Sequence, residues 1–207
     1  MLPIAIGGSA ANPAILAHRE LIGWLLNSGK FSKVIWIISG QRNDKKNLID
    51  PEHRLIITLL TIPTEWFLKK DVDFTISFED LYKQNTPTIE WLERYKGIYP
   101  DNEVIWFTGA DSIVKREEFS GLNEIQARWV RGEELFKKWK FLIFPREGYK
   151  DPSELMLPEN FEIAQVKLKG ASSSEVRNRI ANGEPFEKFM AKEATEYIKL
   201  KKLYGFN

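Results

Sequence analysis

Short apolar runs at residues 2–6, 34–38, 104–108 and 141–144 alternate with segments of helical periodicity, and this alternation limits the possible folds more than any other feature. A run of apolar residues with no polar face belongs to a strand covered on both sides. Such strands, separated by helices, form a parallel sheet with helices on both faces, the Rossmann-like α/β class. A first helix is expected from Pro13, with Ile15, Leu16, Leu21, Ile22, Leu25 and Leu26 on one stripe and Asn27-Ser28-Gly29 as its end. A second starts with Asp50 as N-cap and Pro51 at the first helical position. A third opens at Thr86-Pro87, runs through Tyr95 and is closed by Gly97. Helices over residues 173–181 and 191–203 close the chain, and residues 73–76 and 161–166 are weaker strand candidates. Residues 115–132 are polar with weak periodicity and read as a lid or an insertion. Ligands of such sheets bind beyond the C-terminal ends of the strands.

At 207 residues, 43% of them hydrophobic, the chain has the size and core of one domain spanning 1–207. A formal net charge of +1 gives no global field toward nucleic acid or an anionic membrane. Cysteine is absent, which excludes disulfides, thiolate zinc sites and cysteine nucleophiles and fits a reducing cytoplasm. With His18 and His53 as the only histidines, a multi-histidine metal centre is excluded. The apolar start is too short for a signal segment, and no stretch reaches membrane-spanning length. These features point to a cytoplasmic protein with no nucleic-acid or membrane partner; a homo-oligomer stays open.

Two segments carry the clearest chemistry. Gly7-Gly8-Ser9 follows the first strand, and His18 stands about one turn into the next helix. Small residues there admit a phosphate or ribose, and an imidazolium at 18 would offset charge on a transferring phosphoryl group. An ordinary turn and a surface histidine are the plainer alternatives. Ser172-Ser173-Ser174-Glu175-Val176-Arg177 opens a late helix. Three serines of the N-cap class explain themselves by capping, but Arg177 on the first turn adds an anion-binding group. Asp111, behind Gly109 at the end of the 104–108 strand, is placed either for ribose hydroxyls or for capping. Lys45 and Lys46 lie in the polar loop after the second strand, either solvated or within reach of phosphates. Trp129, between Arg128 and Arg131, either stacks on a planar ring or covers the core edge. Trp36 and Trp106 belong to strands and to the core.

The order of these segments resembles the nicotinate-nucleotide adenylyltransferases over nearly the whole chain. Residues 7–18 are similar to the family's G-G-T-F-D-P-x-H-x-G-H segment, with one extra residue before Pro13 and with Ile15 and Ala17 where the first histidine and the glycine stand. Asp44-Lys45-Lys46 and Glu52-His53-Arg54-Leu55 resemble its H-K loop and E-x-R-L helix start. Residues 86–92 resemble S-Y-T-I-D-T-L, 104–111 the strand ending in I-G-A-D, 129–135 the W-x-x-W-x-E-L stretch, and 145–148 the P-R-x-G. Residues 171–177 resemble I-S-S-T-x-I-R, and Tyr197-Ile198 and Leu203-Tyr204 the closing Y-I and L-Y. The resemblance implies a nucleotidyltransferase domain whose helical part from about residue 170 closes the ATP site. It implies that Gly7, Gly8, Ser9, His18, Asp111, Ser172, Ser173 and Arg177 bind ATP, with His18, Lys46 and Arg177 catalytic. Thr88, Trp129 and Arg146 would meet a pyridine mononucleotide. The implied reaction transfers AMP from ATP to nicotinate mononucleotide, giving deamido-NAD and pyrophosphate in NAD biosynthesis, with Mg2+ carried on the phosphates and no metal held by the protein. Nicotinamide mononucleotide or a phosphopantetheine-like acceptor is the rival substrate, and a non-catalytic nucleotide binder the rival class.

Overall fold

The computed structural model describes residues 1–41, 47–166, 168 and 170–206. Six strands, β1 (Ile4–Ser9), β2 (Lys33–Ile38), β3 (Asp73–Ser77), β4 (Val104–Gly109), β5 (Lys140–Phe144) and β6 (Phe161–Ile163), form one sheet in the order β3-β2-β1-β4-β5-β6. Every pairing is parallel. Among the described residues, seven α-helices accompany them: α1 (Leu16–Asn27), α2 (Pro51–Thr61), α3 (Thr88–Ile98), α4 (Glu124–Arg128), α5 (Gly132–Lys138), α6 (Ser173–Ala181) and α7 (Lys192–Leu200).

The period-2 pleat divides each apolar run between two cores. Val34, Trp36, Ile38, Ile105, Phe107, Leu142 and Phe144 face one side, packed with Ile22 and Leu25 of α1, Ile57 of α2, Val176 and Ile180 of α6 and Ile198 of α7. Ile35, Ile37, Val104, Trp106, Phe141 and Ile143 face the other, against Ile89, Trp91 and Leu92 of α3, Ile125 of α4 and Leu135 of α5. Each fully buried Ile or Leu contributes roughly 1.5–3 kcal/mol, so both faces must be covered for the sheet to stand. The doubly covered parallel sheet expected from the sequence is the one observed.

Several boundaries differ from expectation. Strand β1 runs on through Ser9, so Gly7 and Gly8 are strand residues paired with Trp36 and Ile37. Helix α1 begins only at Leu16. Ala11 adopts a left-handed φ of 46°. The carbonyls of Asn12 and Pro13 accept bonds from Arg177 and Ser173. With its backbone held this way, the segment cannot enter the helix at Pro13. Gly97 lies inside α3, which ends when Tyr99 N–H bonds Tyr95 O at 2.9 Å. Strand β6 stops at Ile163. Residues 115–132 hold a 3-10 turn (Glu117–Phe119) and α4, which Asn123 caps by accepting from Gln126 N–H. Helix α4 packs tightly on α5: a Cβ at Gly132 would stand 2.0 Å from Ile125 O.

Candidate active site

The sheet opens at its centre. The β1–β4 ladder ends at Ile6 and Trp106, whereas β1–β2 continues to Ser9 and β4–β5 to Gly109. Strand order reverses at this same point, since β2 and β3 lie to one side of β1 and β4 to β6 to the other. Such a switch point is where an open α/β sheet binds ligands. The two glycines serve it differently. Gly7 is buried, and a Cβ there would lie 2.3 Å from the Phe107 ring and 2.6 Å from its carbonyl, so core packing demands glycine. Gly8 is exposed at the opening, and a Cβ would meet only ordinary contacts with Ile37 and Trp106.

Ser9 closes β1 and meets His18, Oγ to Nε2 at 3.0 Å. His18 is the third residue of α1, and its Nδ1 accepts the Ile15 backbone N–H at 3.1 Å, which caps the helix. A nitrogen that accepts carries no proton. With Nδ1 accepting, Nε2 is the ring nitrogen left to donate to Ser9 Oγ. Ser9 Oγ also accepts from Ala11 N–H. The His18 ring rests on Trp36, with centroids 5.4 Å apart. Ile15 turns the other way: its side chain is 1% exposed and sits in the core.

Helix α6 is joined to this corner. Ser172 caps it by accepting from Glu175 N–H at 3.0 Å. Ser173 Oγ donates to Pro13 O at 2.9 Å, and Arg177 donates to Asn12 O at 2.6 Å and to Ser174 Oγ at 3.0 Å. The two segments singled out in the sequence, 7–18 and 172–177, thus share one loop, 10–15. A cleft of about 290 Å³ runs beside their junction, lined by Ile15, Leu16, Ala17, Gly170, Ala171, Lys188 and Phe189.

On the β4 side, Asp111 lies in the 3-10 turn Ala110–Ser112, and Arg146 approaches its carboxylate at 3.8 Å. A Cβ at Gly109 would strike Asp111 Oδ1 at 2.4 Å, so glycine lets the carboxylate fold back over the strand end. Trp129 ends α4 half-buried, edge-on to Trp106 at 6.2 Å and tilted on Phe141. Since Trp106 also flanks Gly8, Trp129 lies one ring from the opening. Thr88 is the first residue of α3 and half-buried. Lys46 and Lys45 lie outside the described residues.

No family model matches the chain. A protein of Carboxydothermus hydrogenoformans named "Probable nicotinate-nucleotide adenylyltransferase" is 30% identical, with 97% of each chain covered. A protein of the same name from Caldicellulosiruptor bescii is 26% identical over 98% of this chain and 99% of its own. The chain belongs to the nicotinate-nucleotide adenylyltransferase family. Among solved structures, the Plasmodium falciparum nicotinic acid mononucleotide adenylyltransferase complexed with NaAD superposes with a TM-score of 0.77 at 20% identity, covering 100% of this chain and 99% of that one. The same enzyme complexed with APC gives 0.73 at 21% identity, again over 100% and 99%. These two likenesses support the fold.

Around this site, four residues matter to which sequence reasoning gave no role. Asn12 holds the loop through its side chain, donating to Asn47 O at 2.9 Å and accepting from Tyr204 OH at 3.1 Å. Burial pushes the Tyr204 phenol far above its ordinary pKa, against a smaller opposing pull from Arg177 and Arg54, so it stays a neutral donor. Asp80 is fully buried and accepts from Thr86 N–H, Thr86 Oγ1 and Trp91 Nε1 at 2.8, 2.7 and 3.3 Å, which sets the start of α3. Arg54, 1% exposed, donates to the carbonyls of Ala10, Ser39 and Leu81. Arg54 had a visible signal. It stands in register with buried Ile57, Thr58 and Thr61, at i+3, i+4 and i+7 on the inward stripe of α2. Among the described residues no group of three His, Cys, Asp or Glu side chains is placed to hold a metal ion.

Proposed function

We propose that the opening between β1 and β4 joins ATP to nicotinate mononucleotide, the reaction of its family. The observation that supports this most is the shared loop. His18, through Nδ1 to Ile15 N–H, and the N-terminus of α6, through Ser173 and Arg177, converge on residues 10–15. Two helix N-termini and a guanidinium facing one corner favour a polyphosphate. A phosphate oxygen of the mononucleotide attacks the α-phosphorus of ATP, the bond to the β-phosphate oxygen breaks, and pyrophosphate leaves. The chain needs no nucleophile for this step; it positions both phosphates and stabilises charge. His18 would act as an Nε2–H donor, exchanging Ser9 Oγ for a phosphate oxygen. Gly8 would let the nucleotide approach β1, and Asp111 would accept from ribose hydroxyls. Thr88, Trp129 and Arg146 would bound the mononucleotide side, with Trp129 offering a ring edge or face to the pyridine. Magnesium would enter as the counter-ion of ATP, since the described residues gather no three metal-ligating side chains.

The test is pyrophosphate release from ATP with nicotinate mononucleotide, nicotinamide mononucleotide or phosphopantetheine as acceptor. Turnover is expected to be fastest with nicotinate mononucleotide. Faster release with another acceptor would reassign the substrate, and ATP binding without release from any acceptor would make the chain a nucleotide binder.

A further inference from the structure

The loop 10–15 is gripped by two guanidiniums, and neither has a carboxylate partner among the described residues. Arg177 holds it from α6 through Asn12 O. Arg54 holds it from beneath. Its NH1 group donates to Ala10 O at 2.9 Å and to Ser39 O at 2.7 Å, and NH2 makes a longer contact with Leu81 O at 3.5 Å. These three carbonyls follow β1, β2 and β3, so one buried planar group ties the C-terminal ends of three neighbouring strands. The fork of donors suits this, since a lysine would offer a single point of attachment.

Carbonyls accept from both terminal nitrogens of Arg54, while its buried Nε–H has no acceptor among the described residues, and nothing there cancels its charge. Burial lowers its pKa, with Tyr204 the titratable group that acts on it in the opposite sense. An arginine so placed still keeps its proton at neutral pH. A buried cation normally has a counter-charge, because desolvation makes an unpaired one costly. Here the corner above it, where α1 and α6 present their N-termini, is the place for an anion.

We propose that Arg54 is a positioning residue for the polyphosphate: it fixes the 10–15 loop through Ala10 O and supplies, without touching the ligand, positive charge that the bound anion compensates. This rests on the reading of the site as an ATP site.

The test uses the full chain with R54K and R54M, and measures ATP affinity by calorimetry, KM for the mononucleotide, and Tm. Both variants lose the fork and are expected to melt lower. R54M is expected to bind ATP about tenfold more weakly, with less than a twofold change in the mononucleotide KM. R54K turns the buried charge into one that titrates in an accessible range. Its ATP affinity relative to the unsubstituted chain is expected to fall at least about threefold from about pH 6 to about pH 9.5, as the desolvated amine loses its proton. ATP affinity unchanged in R54M, or equal damage to both substrates, would overturn the proposal. Should R54M fail to fold, a pH-independent affinity ratio for R54K would overturn it alone. An unsubstituted chain that binds no ATP would defeat the functional reading itself. Normal ATP binding and turnover in that chain, beside unaffected variants, would defeat only the role of Arg54.

Discussion

At the scale of single residues, His18 and Ile15 are tied by one backbone bond, yet their side chains meet different neighbours. The His18 ring is fixed at both nitrogens, by Ile15 N–H and by Ser9 Oγ, so its donor is oriented before any ligand arrives. Preorganised donors of this kind contribute most where charge develops. His18→Ala is therefore expected to lower kcat about a hundredfold or more while weakening ATP binding much less, as steady-state kinetics and calorimetry would show. A variant with near-normal turnover would remove His18 from the mechanism. Ile15 contributes its backbone N–H to that ring and its side chain to the core. From the motif alone, a histidine at this position would leave activity unchanged or improve it. In the structure it would put a polar ring among apolar neighbours, at a cost of roughly 1–3 kcal/mol. Ile15→His is thus expected to lower Tm by several degrees and to leave turnover no higher; faster turnover would show that the side chain can reach the crevice. Motif spacing put His18 about one turn into a helix from Pro13; the helix starts at Leu16, and His18 is its third residue. The direction of Ile15 and the tautomer of His18 depend on which neighbour each atom meets, and no local pattern encodes that.

At the scale of elements, the apolar runs of β2, β4 and β5 were legible because each is buried on both faces and breaks off at turn residues. Strand β1 was not legible to its end. Its glycines look like a turn, yet Gly7 is glycine because Phe107 of β4 passes 2.3 Å from where its Cβ would be. That is a tertiary contact, invisible along the chain. The start of α1 was misplaced for a similar reason, since the carbonyls of Asn12 and Pro13 are taken by α6. Helix α6 is therefore the clamp on the loop. Ser173→Ala removes one of its two bonds and is expected to cost about 1 kcal/mol in urea denaturation, with turnover falling several-fold. Unchanged turnover at reduced stability would limit Ser173 to a structural part. Helix α3 has its own anchor in Asp80, a buried carboxylate with three donors. Asp80→Ala would strand those donors and is expected to cost roughly 2–4 kcal/mol. Because α3 opens at Thr88, the mononucleotide KM should rise several-fold while that of ATP holds. Equal changes in both would mean that Asp80 supports the sheet rather than the acceptor side.

At the scale of the whole molecule, the strand order puts one opening at the centre of a six-stranded sheet, and the chain spends its loops there. Side β1 carries Ser9, His18 and the junction with α6, and side β4 carries Asp111, Arg146 and the Trp106–Trp129 pair. This division suits two substrates that meet only at their phosphates. The charge balance also follows a division of labour. Arg54 and Arg177 are paired with carbonyls and hydroxyls, and the described residues offer no acidic cluster for a cation. An ion that serves the reaction is then expected to arrive with ATP and depart with pyrophosphate. Chelation should accordingly leave the Tm of the nucleotide-free chain unchanged while stopping turnover, and added magnesium should restore it. Magnesium-ATP at about a hundred times its Kd should stabilise the fold by about 2.7 kcal/mol. For a chain of this length that is a rise in Tm of roughly 5–10 °C. A chelator that lowers Tm in the absence of nucleotide would reveal an ion held by the protein itself, and the cation would then belong to the resting site rather than to the substrate.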